Sequence, residues 1–315
     1  MKLAVVAFGG NAFLGDGSHG THQDQFAFAK DISGELVKLV ESGYGIVITH
    51  GNGPQVGNLL LQQECASHTT PPMPTDICGA MTQGQIGYLI VQTLRNHLRK
   101  NNIDKPVVAV ITQVVVDEDD EAFSNPRKFV GPFFDKKTAD SLSRERDWKI
   151  EKDSDRGYRR VVPSPKPVDI VEKKEIVDMI EKGFIVVACG GGGVPVVRGK
   201  DGELRGVSGV VDKDLASEKL ATLIGAETLA IITPVDRISL FFGTRRQVDL
   251  EKMSVDEAEK YLGEGHFPPG SMGPKIEAAI RFLRKGGRRV VITSAKSTVK
   301  ALGGEKGTEI VSEMN

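Results

Sequence analysis

The stretch Ile46-Val-Ile-Thr-His-Gly-Asn-Gly-Pro-Gln-Val-Gly57 leaves an apolar, β-branched run and passes at once into glycine, asparagine and proline. Such residues do not pack as a core, but they bring bare backbone close to a ligand. The same ending recurs: Gly9-Gly10-Asn11 follows the run Leu3 to Phe8, and Gly190 to Gly193 follows Phe184 to Ala188. Further apolar runs stand at Gly45 to Thr49, Val107 to Thr112, Thr228 to Thr233 and Arg289 to Thr293. None alternates with polar residues, which marks strands covered on both faces. Helical periods lie between them, with Ile32, Leu36, Leu39 and Val40 on one face and Ile276, Ala279, Ile280 and Leu283 on another. Gly43, Gly183 and Gly286 follow helix ends, where a left-handed residue closes the last turn. This order predicts an α/β fold: a three-layer αβα sandwich around a mostly parallel sheet, with ligands outside the carboxyl ends of the strands.

From Asp117 to Pro167 the pattern breaks into charged, proline-punctuated sequence with one amphipathic piece at Lys136 to Asp147. Phe123, Phe129, Phe133, Phe134 and Trp148 are too many aromatics for a disordered run. The reading is one domain spanning 1–315, with 117–167 inserted as a small protruding lobe.

Lysine and arginine number 41 against 42 acidic residues, so no net field draws nucleic acid or an acidic membrane. Three cysteines, Cys65, Cys78 and Cys189, form neither a disulfide framework nor a metal spacing. No apolar run approaches the roughly 20 residues of a membrane span, and the expected location is the cytoplasm. Glycine, 36 of 315 residues, exceeds its usual ~7 % share and clusters at the ends of the apolar runs.

Any single glycine patch is better explained as a tight turn; three at one sheet edge argue for a phosphate-sized guest. Neither a dinucleotide fingerprint nor a P-loop fits, since Gly51, Gly53 and Gly57 are misspaced and Gly199-Lys200 is followed by Asp201. Lysines supply the complementary charge. Lys213 lies between Asp212 and Asp214 at a helix start, where either aspartate can cap and leave the lysine free to reach outward. Lys275 stands in the first turn behind Gly270-Ser271-Met272-Gly273-Pro274, where the macrodipole disfavours a cation unless an anion binds there. Lys128, in Asn125-Pro-Arg-Lys-Phe-Val-Gly-Pro132, is a third candidate, although most lysines are solvated surface groups. His50 serves a ligand or a turn equally well, and the six histidines show no metal spacing.

Taken together, these motifs resemble the carbamate kinases of the amino-acid kinase superfamily, over nearly the whole chain. The resemblance rests on the glycine patches, on Cys78-Gly-Ala-Met-Thr-Gln-Gly-Gln-Ile-Gly-Tyr88, on the Lys128 segment, on the residues from Asp155 to Pro165, on Val210-Val-Asp-Lys-Asp-Leu-Ala216 and on Gly265-His-Phe-Pro-Pro-Gly-Ser-Met-Gly-Pro-Lys275. It implies a homodimer that moves a phosphoryl group between carbamoyl phosphate and ADP, with ATP/ADP and Mg²⁺ as cofactors and small molecules as its only other partners. By similarity, Gly9, Gly10, Asn11, Gly51, Asn52 and Gly53 hold the carbamate side and Lys128 reaches in from the lobe. Lys213 sits on the moving phosphoryl, Asp214 orients the lysines, and Lys275 meets the nucleotide with Thr233, Val235, Asp236, Gly270, Ser271, Met272 and Gly273. Ala7 stands where many amino-acid-phosphorylating relatives carry lysine. Three residues depart from the family pattern: Pro234 replaces an expected acid, Arg237 a small residue and Phe129 a proline. Pro234 and Arg237 motivate one alternative, a decayed nucleotide-binding or regulatory protein on the same fold; a related kinase for another small carboxylate or phosphonate is a further alternative.

Overall fold

The computed structural model describes residues 2–9, 20–146, 148–153 and 157–314. The chain begins with β1 (Lys2–Phe8), α1 (His22–Glu41), β2 (Tyr44–His50), α2 (Gly53–Ala66), α3 (Thr75–Lys100) and β3 (Val107–Ala109). A second stretch holds β4 (Gln113–Val116), α4 (Glu121–Ser124), β5 (Lys128–Phe134), α5 (Lys136–Arg146), β6 (Ile150–Lys152), β7 (Tyr158–Val162) and β8 (Pro167–Ile170). Next come α6 (Lys173–Glu181), β9 (Ile185–Val187), β10 (Val194–Arg198), β11 (Leu204–Gly206) and α7 (Lys213–Leu223). The last part contributes β12 (Thr228–Ile232), β13 (Ile238–Leu240), β14 (Val248–Leu250), β15 (Lys252–Ser254) and α8 (Val255–Gly263). It closes with α9 (Met272–Arg284), β16 (Arg289–Thr293), α10 (Thr298–Leu302) and β17 (Thr308–Val311).

Eight strands form the main sheet in the order β15-β17-β16-β12-β1-β2-β9-β3. Only the β16–β17 pair is antiparallel. Alternate residues of each central strand enter opposite cores. Val5, Val47, Val186 and Leu229 pack with Leu220 of α7 and Ile276 of α9. Val6, Ile48, Val187 and Ala230 pack with Leu36 of α1 and Ile90 of α3. Burial on both faces explains why these strands read as unbroken apolar runs, each fully buried Val or Ile being worth about 1.5–3 kcal/mol. Local signals fix the helix starts: Thr21 and Asp24 close a capping box on α1, and Ser254 and Glu257 do so on α8. Gly43, Gly183 and Gly286 all take positive φ just past helix ends.

Several expectations need correction. The run Val107 to Thr112 is strand only to Ala109; Gln83 of α3 binds both the N–H and the carbonyl of Thr112, and the chain turns into a second sheet. That sheet, in the order β11-β10-β4-β8, was not legible as a separate layer. The glycines at 190–193 are followed by β10 rather than a helix, so no helix N-terminus stands behind them. Within residues 117–167, β5, β7 and β6 form their own three-stranded antiparallel sheet. The amphipathic piece is the helix α5, its expected last residue, Asp147, lying outside the described residues.

Candidate active site

Strands β1, β2 and β9 are adjacent and parallel, so their glycine-rich exits share one carboxyl edge. The Gly51 N–H donates to the Phe8 carbonyl at 2.9 Å, carrying the β1–β2 pairing one residue past β2. Asn52 then caps α2 with its backbone, and its side-chain amide donates to Thr82 Oγ1 of α3 at 2.8 Å. Gly53 and Pro54 open the helix, where proline needs no N–H partner. Gly9 lies at the end of β1; Gly10 and Asn11 lie outside the described residues.

The third patch is a keystone rather than a cradle. A Cβ on Gly190 would stand 2.5 Å from His50 Nε2, and one on Gly191 would stand 2.1 Å from the Asn52 amide nitrogen. One on Gly192 would meet the Val211 carbonyl oxygen at 2.1 Å. Gly191 and Gly192 also hold φ of +66° and +91°. This buried turn therefore brings Asn52 and the segment entering α7 together. Thr49 and Ser217 complete the join with a 2.6 Å hydrogen bond between hydroxyls. His50 serves the turn: its Nδ1 lies 3.1 Å from the Gly51 carbonyl, which only accepts, so Nδ1 carries the proton there. Burial lowers its pKa to about 4, against a smaller raising effect of that hydrogen bond, and keeps it neutral.

At the start of α7 the lysines converge. Asp212 is the N-cap, its Oδ1 accepting from the Asp214 N–H at 2.9 Å while Oδ2 receives Lys128 Nζ at 2.6 Å. Lys128 opens β5 and so links the β5-β7-β6 sheet to α7, which makes it more than a solvated surface group. Asp214, buried, takes Lys213 on one carboxylate oxygen and Lys275 of α9 on the other, the latter at 3.1 Å. Lys213 is thus not free to reach outward; burial and the nearby Lys275 charge lower its pKa, with Asp214 opposing them. Lys275 also donates to the Ser271 carbonyl at 3.2 Å, which ties it to the Gly270–Gly273 entry. Burial pushes the Asp212 carboxyl up, but Lys128, Lys213 and the Asp214 N–H together outweigh this and the net result is a drop to about 2. Three ammonium groups face two carboxylates here, leaving positive charge for an anion.

Farther along the same edge, the Thr233 N–H donates to the Thr293 carbonyl at 2.9 Å. Asp236 accepts from Ser294 and Ser297, which, ahead of the opposing effect of burial, holds its carboxyl below the ordinary range. Val235 and Asp236 line an open cavity of about 380 Å³ with Ser239, Phe242 and Lys306. Arg237, the departure from pattern, pairs with Glu251 at 2.7 Å. Asp212 was read only as a possible cap; its role as partner of Lys128 depends on a contact across 84 positions that local spacing does not encode. Among the described residues no three or more His, Cys, Asp or Glu gather as a metal cage.

The model of the Amino acid kinase family matches residues 2–294. This chain belongs to that family. It is 48% identical to the carbamate kinase of Pyrococcus horikoshii, covering 98% of this chain and 99% of the relative. It is 50% identical to that of Thermococcus kodakarensis, covering 99% and 100%. Among solved structures, the carbamate kinase of Giardia lamblia bound to AMP-PNP superposes with a TM-score of 0.92 at 38% identity, covering 98% of both chains. Within the amino acid kinases this chain groups with the carbamate kinases, and it is a phosphotransferase by that membership.

Proposed function

We propose that the chain transfers a phosphoryl group reversibly between carbamoyl phosphate and ADP, giving ATP and carbamate. The observation that carries the reading is the gathering of Lys213 and Lys275 on Asp214, with Lys128 on Asp212, beside the strand-end amides of Gly51 to Gly53. Phosphoryl transfer demands little covalent chemistry from a protein; it demands two anions held in line and the charge of the moving group offset. In this reading Gly9, Gly51, Asn52 and Gly53 hold the carbamoyl end, together with Gly10 and Asn11. Lys128 enters from the lobe against that end. Lys213 meets the transferring phosphoryl, Lys275 the nucleotide phosphates, and Asp214 fixes both ammonium groups. Thr233, Val235 and Asp236 receive the nucleoside, with Gly270, Ser271, Met272 and Gly273 at the phosphate side. The AMP-PNP held by the Giardia relative supports ATP/ADP as the nucleotide.

Mg²⁺ belongs to the same reading. Asp212 and Asp214 are both occupied by ammonium groups, so the described residues provide no all-protein cage. The ion therefore fits as one carried on nucleotide phosphates and water, where it offsets phosphate charge, the usual binding mode of Mg²⁺. Lysines 128, 213 and 275 do the remaining orienting and charge offset.

The chain is read as one domain with its lobe inserted at 117–167, and as a cytoplasmic homodimer without nucleic-acid or membrane partners. Near-equal charge supports the last point, and no helix of the described residues is long and apolar enough to cross a membrane. For the dimer, α3 is the supporting element. It carries no charged residue between Asp76 and Arg95, yet exposes Ile77, Met81 and Tyr88 along one face. Such depletion of charge on an exposed face is the composition of an interface centre, and a second copy presents the same self-complementary surface.

The test is ATP formation from ADP and carbamoyl phosphate with Mg²⁺. Turnover well above the enzyme-free rate is expected. Tight ADP binding without turnover would instead select the decayed nucleotide-binding alternative.

A further inference from the structure

Three glutamines from three helices meet behind the Asn52 turn, and their amide orientations can be deduced. The Gly20 carbonyl only accepts, so its partner at 2.9 Å is the Nε2 of Gln25 in α1. This orientation turns Gln25 Oε1 toward two further amides, and an oxygen there requires donors. Gln85 of α3 supplies one Nε2 at 3.0 Å and Gln55 of α2 supplies the other at 3.3 Å. With its nitrogen committed to Gln25, Gln55 is left presenting Oε1, a pure acceptor. Among the described residues that oxygen is buried and has no hydrogen-bond partner, while Gln55 as a whole is 3% exposed. A buried acceptor without a donor is unfavourable in the protein alone, so it marks a place where a donor arrives from elsewhere.

Gln55 stands in the first turn of α2, directly after Gly53 and Pro54. The reaction proposed above brings one uncharged donor to this edge, the NH₂ of the carbamoyl group. Its nitrogen lone pair is delocalised into the carbonyl, so the group donates and does not accept. We infer that Gln55 Oε1 receives an N–H of the carbamoyl group and thereby selects carbamoyl phosphate over acyl phosphates, which carry a methyl or methylene there. The inference rests on the phosphoryl-transfer reading and names the group that sets its substrate choice. An analogue lacking the N–H leaves the acceptor unpaired in the complex, the situation in which polar sites discriminate most strongly.

The experiment compares kcat/KM for ATP formation from carbamoyl phosphate and from acetyl phosphate, in wild type, Gln55→Met and Gln85→Met. Wild type should prefer carbamoyl phosphate by on the order of 10²-fold or more. Gln55→Met should reduce that preference at least tenfold, because methionine fills the space without an acceptor. Gln85→Met, which removes only one donor to Gln25, should retain the wild-type ratio. A general packing defect lowers both rates together and leaves the ratio as it was. The inference is overturned if wild type uses the two phosphates equally, if Gln55→Met keeps the wild-type ratio, or if Gln85→Met loses it to the same extent. The wild-type comparison needs no variant to fold. Activity with neither phosphate would overturn the reaction itself, a result separate from a wild type active on both.

Discussion

Asp214 binds two ammonium groups with one carboxylate, and each lysine can be judged by what its removal leaves behind. Without Lys213 the aspartate still holds Lys275, so no buried charge is stranded. Without Asp214 two cations lose their partner, a change of the kind that costs about 3–5 kcal/mol. Lysine replacements therefore separate catalysis from folding better than aspartate replacements do. His50 offers a residue-scale test of burial. Its folded pKa of about 4 lies below the ordinary 6.5, so the unfolded chain binds the proton more readily between these values. The neutral form's contribution is complete above pH 6.5 and is lost as the pH falls toward 4, by about 3 kcal/mol in all. The stability gap between wild type and His50→Gln, followed by thermal melting, should narrow from pH 7.5 to pH 4.5. A gap of constant size would mean that His50 is not held neutral. Lys275 stood out in the sequence because a cation in a helix's first turn breaks a local rule, the motif glycines because they recur at the ends of apolar runs, and Lys213 because it lies between two aspartates at a helix start, whereas nothing local distinguished Lys128 from a solvated lysine. Gln55 broke no such rule: one glutamine near a helix start looks ordinary until Gln25 and Gln85 are placed against it.

At the scale of elements, two glycines fix how closely β5 meets α2. A Cβ on Gly57 of α2 would lie 2.5 Å from the Cα of Gly131 in β5, the strand that begins with Lys128. Gly57→Ala should push β5 away from α2 and carry Lys128 from its seat on Asp212. Displacements near 1 Å at a catalytic group cost on the order of 10²-fold, so kcat/KM for carbamoyl phosphate should fall toward that extent. Steady-state kinetics will check it, and wild-type kinetics in Gly57→Ala would show that this contact does not position Lys128. The parallel strands and the helices over them could be read from apolar runs and periodicity. The second sheet could not, since β4, β8, β10 and β11 are three to five residues long and separated by the lobe and the glycine turn. The keystone role of Gly190–Gly193 was equally hidden, because close approach of Asn52 and Val211 is a tertiary fact.

Over the whole molecule, a single sheet edge gathers the exits of β1, β2 and β12, while α7 and α9 bring the lysines from the far end of the sequence. The exposed α3 face lies outside the core contacts and predicts association through two copies. Light scattering should give a dimer for wild type, and Met81→Arg should weaken it toward monomer by placing a charge in the interface. A monomeric wild type would remove the homodimer from the account. The central claim is that partly buried ammonium groups held by Asp214 offset the charge of a moving phosphoryl group. Its most direct measure is the kcat of Lys213→Met for ATP formation from carbamoyl phosphate and ADP, taken with a melting curve. The account predicts a loss of on the order of 10²-fold or more with the fold retained; a folded Lys213→Met with wild-type kcat would contradict it.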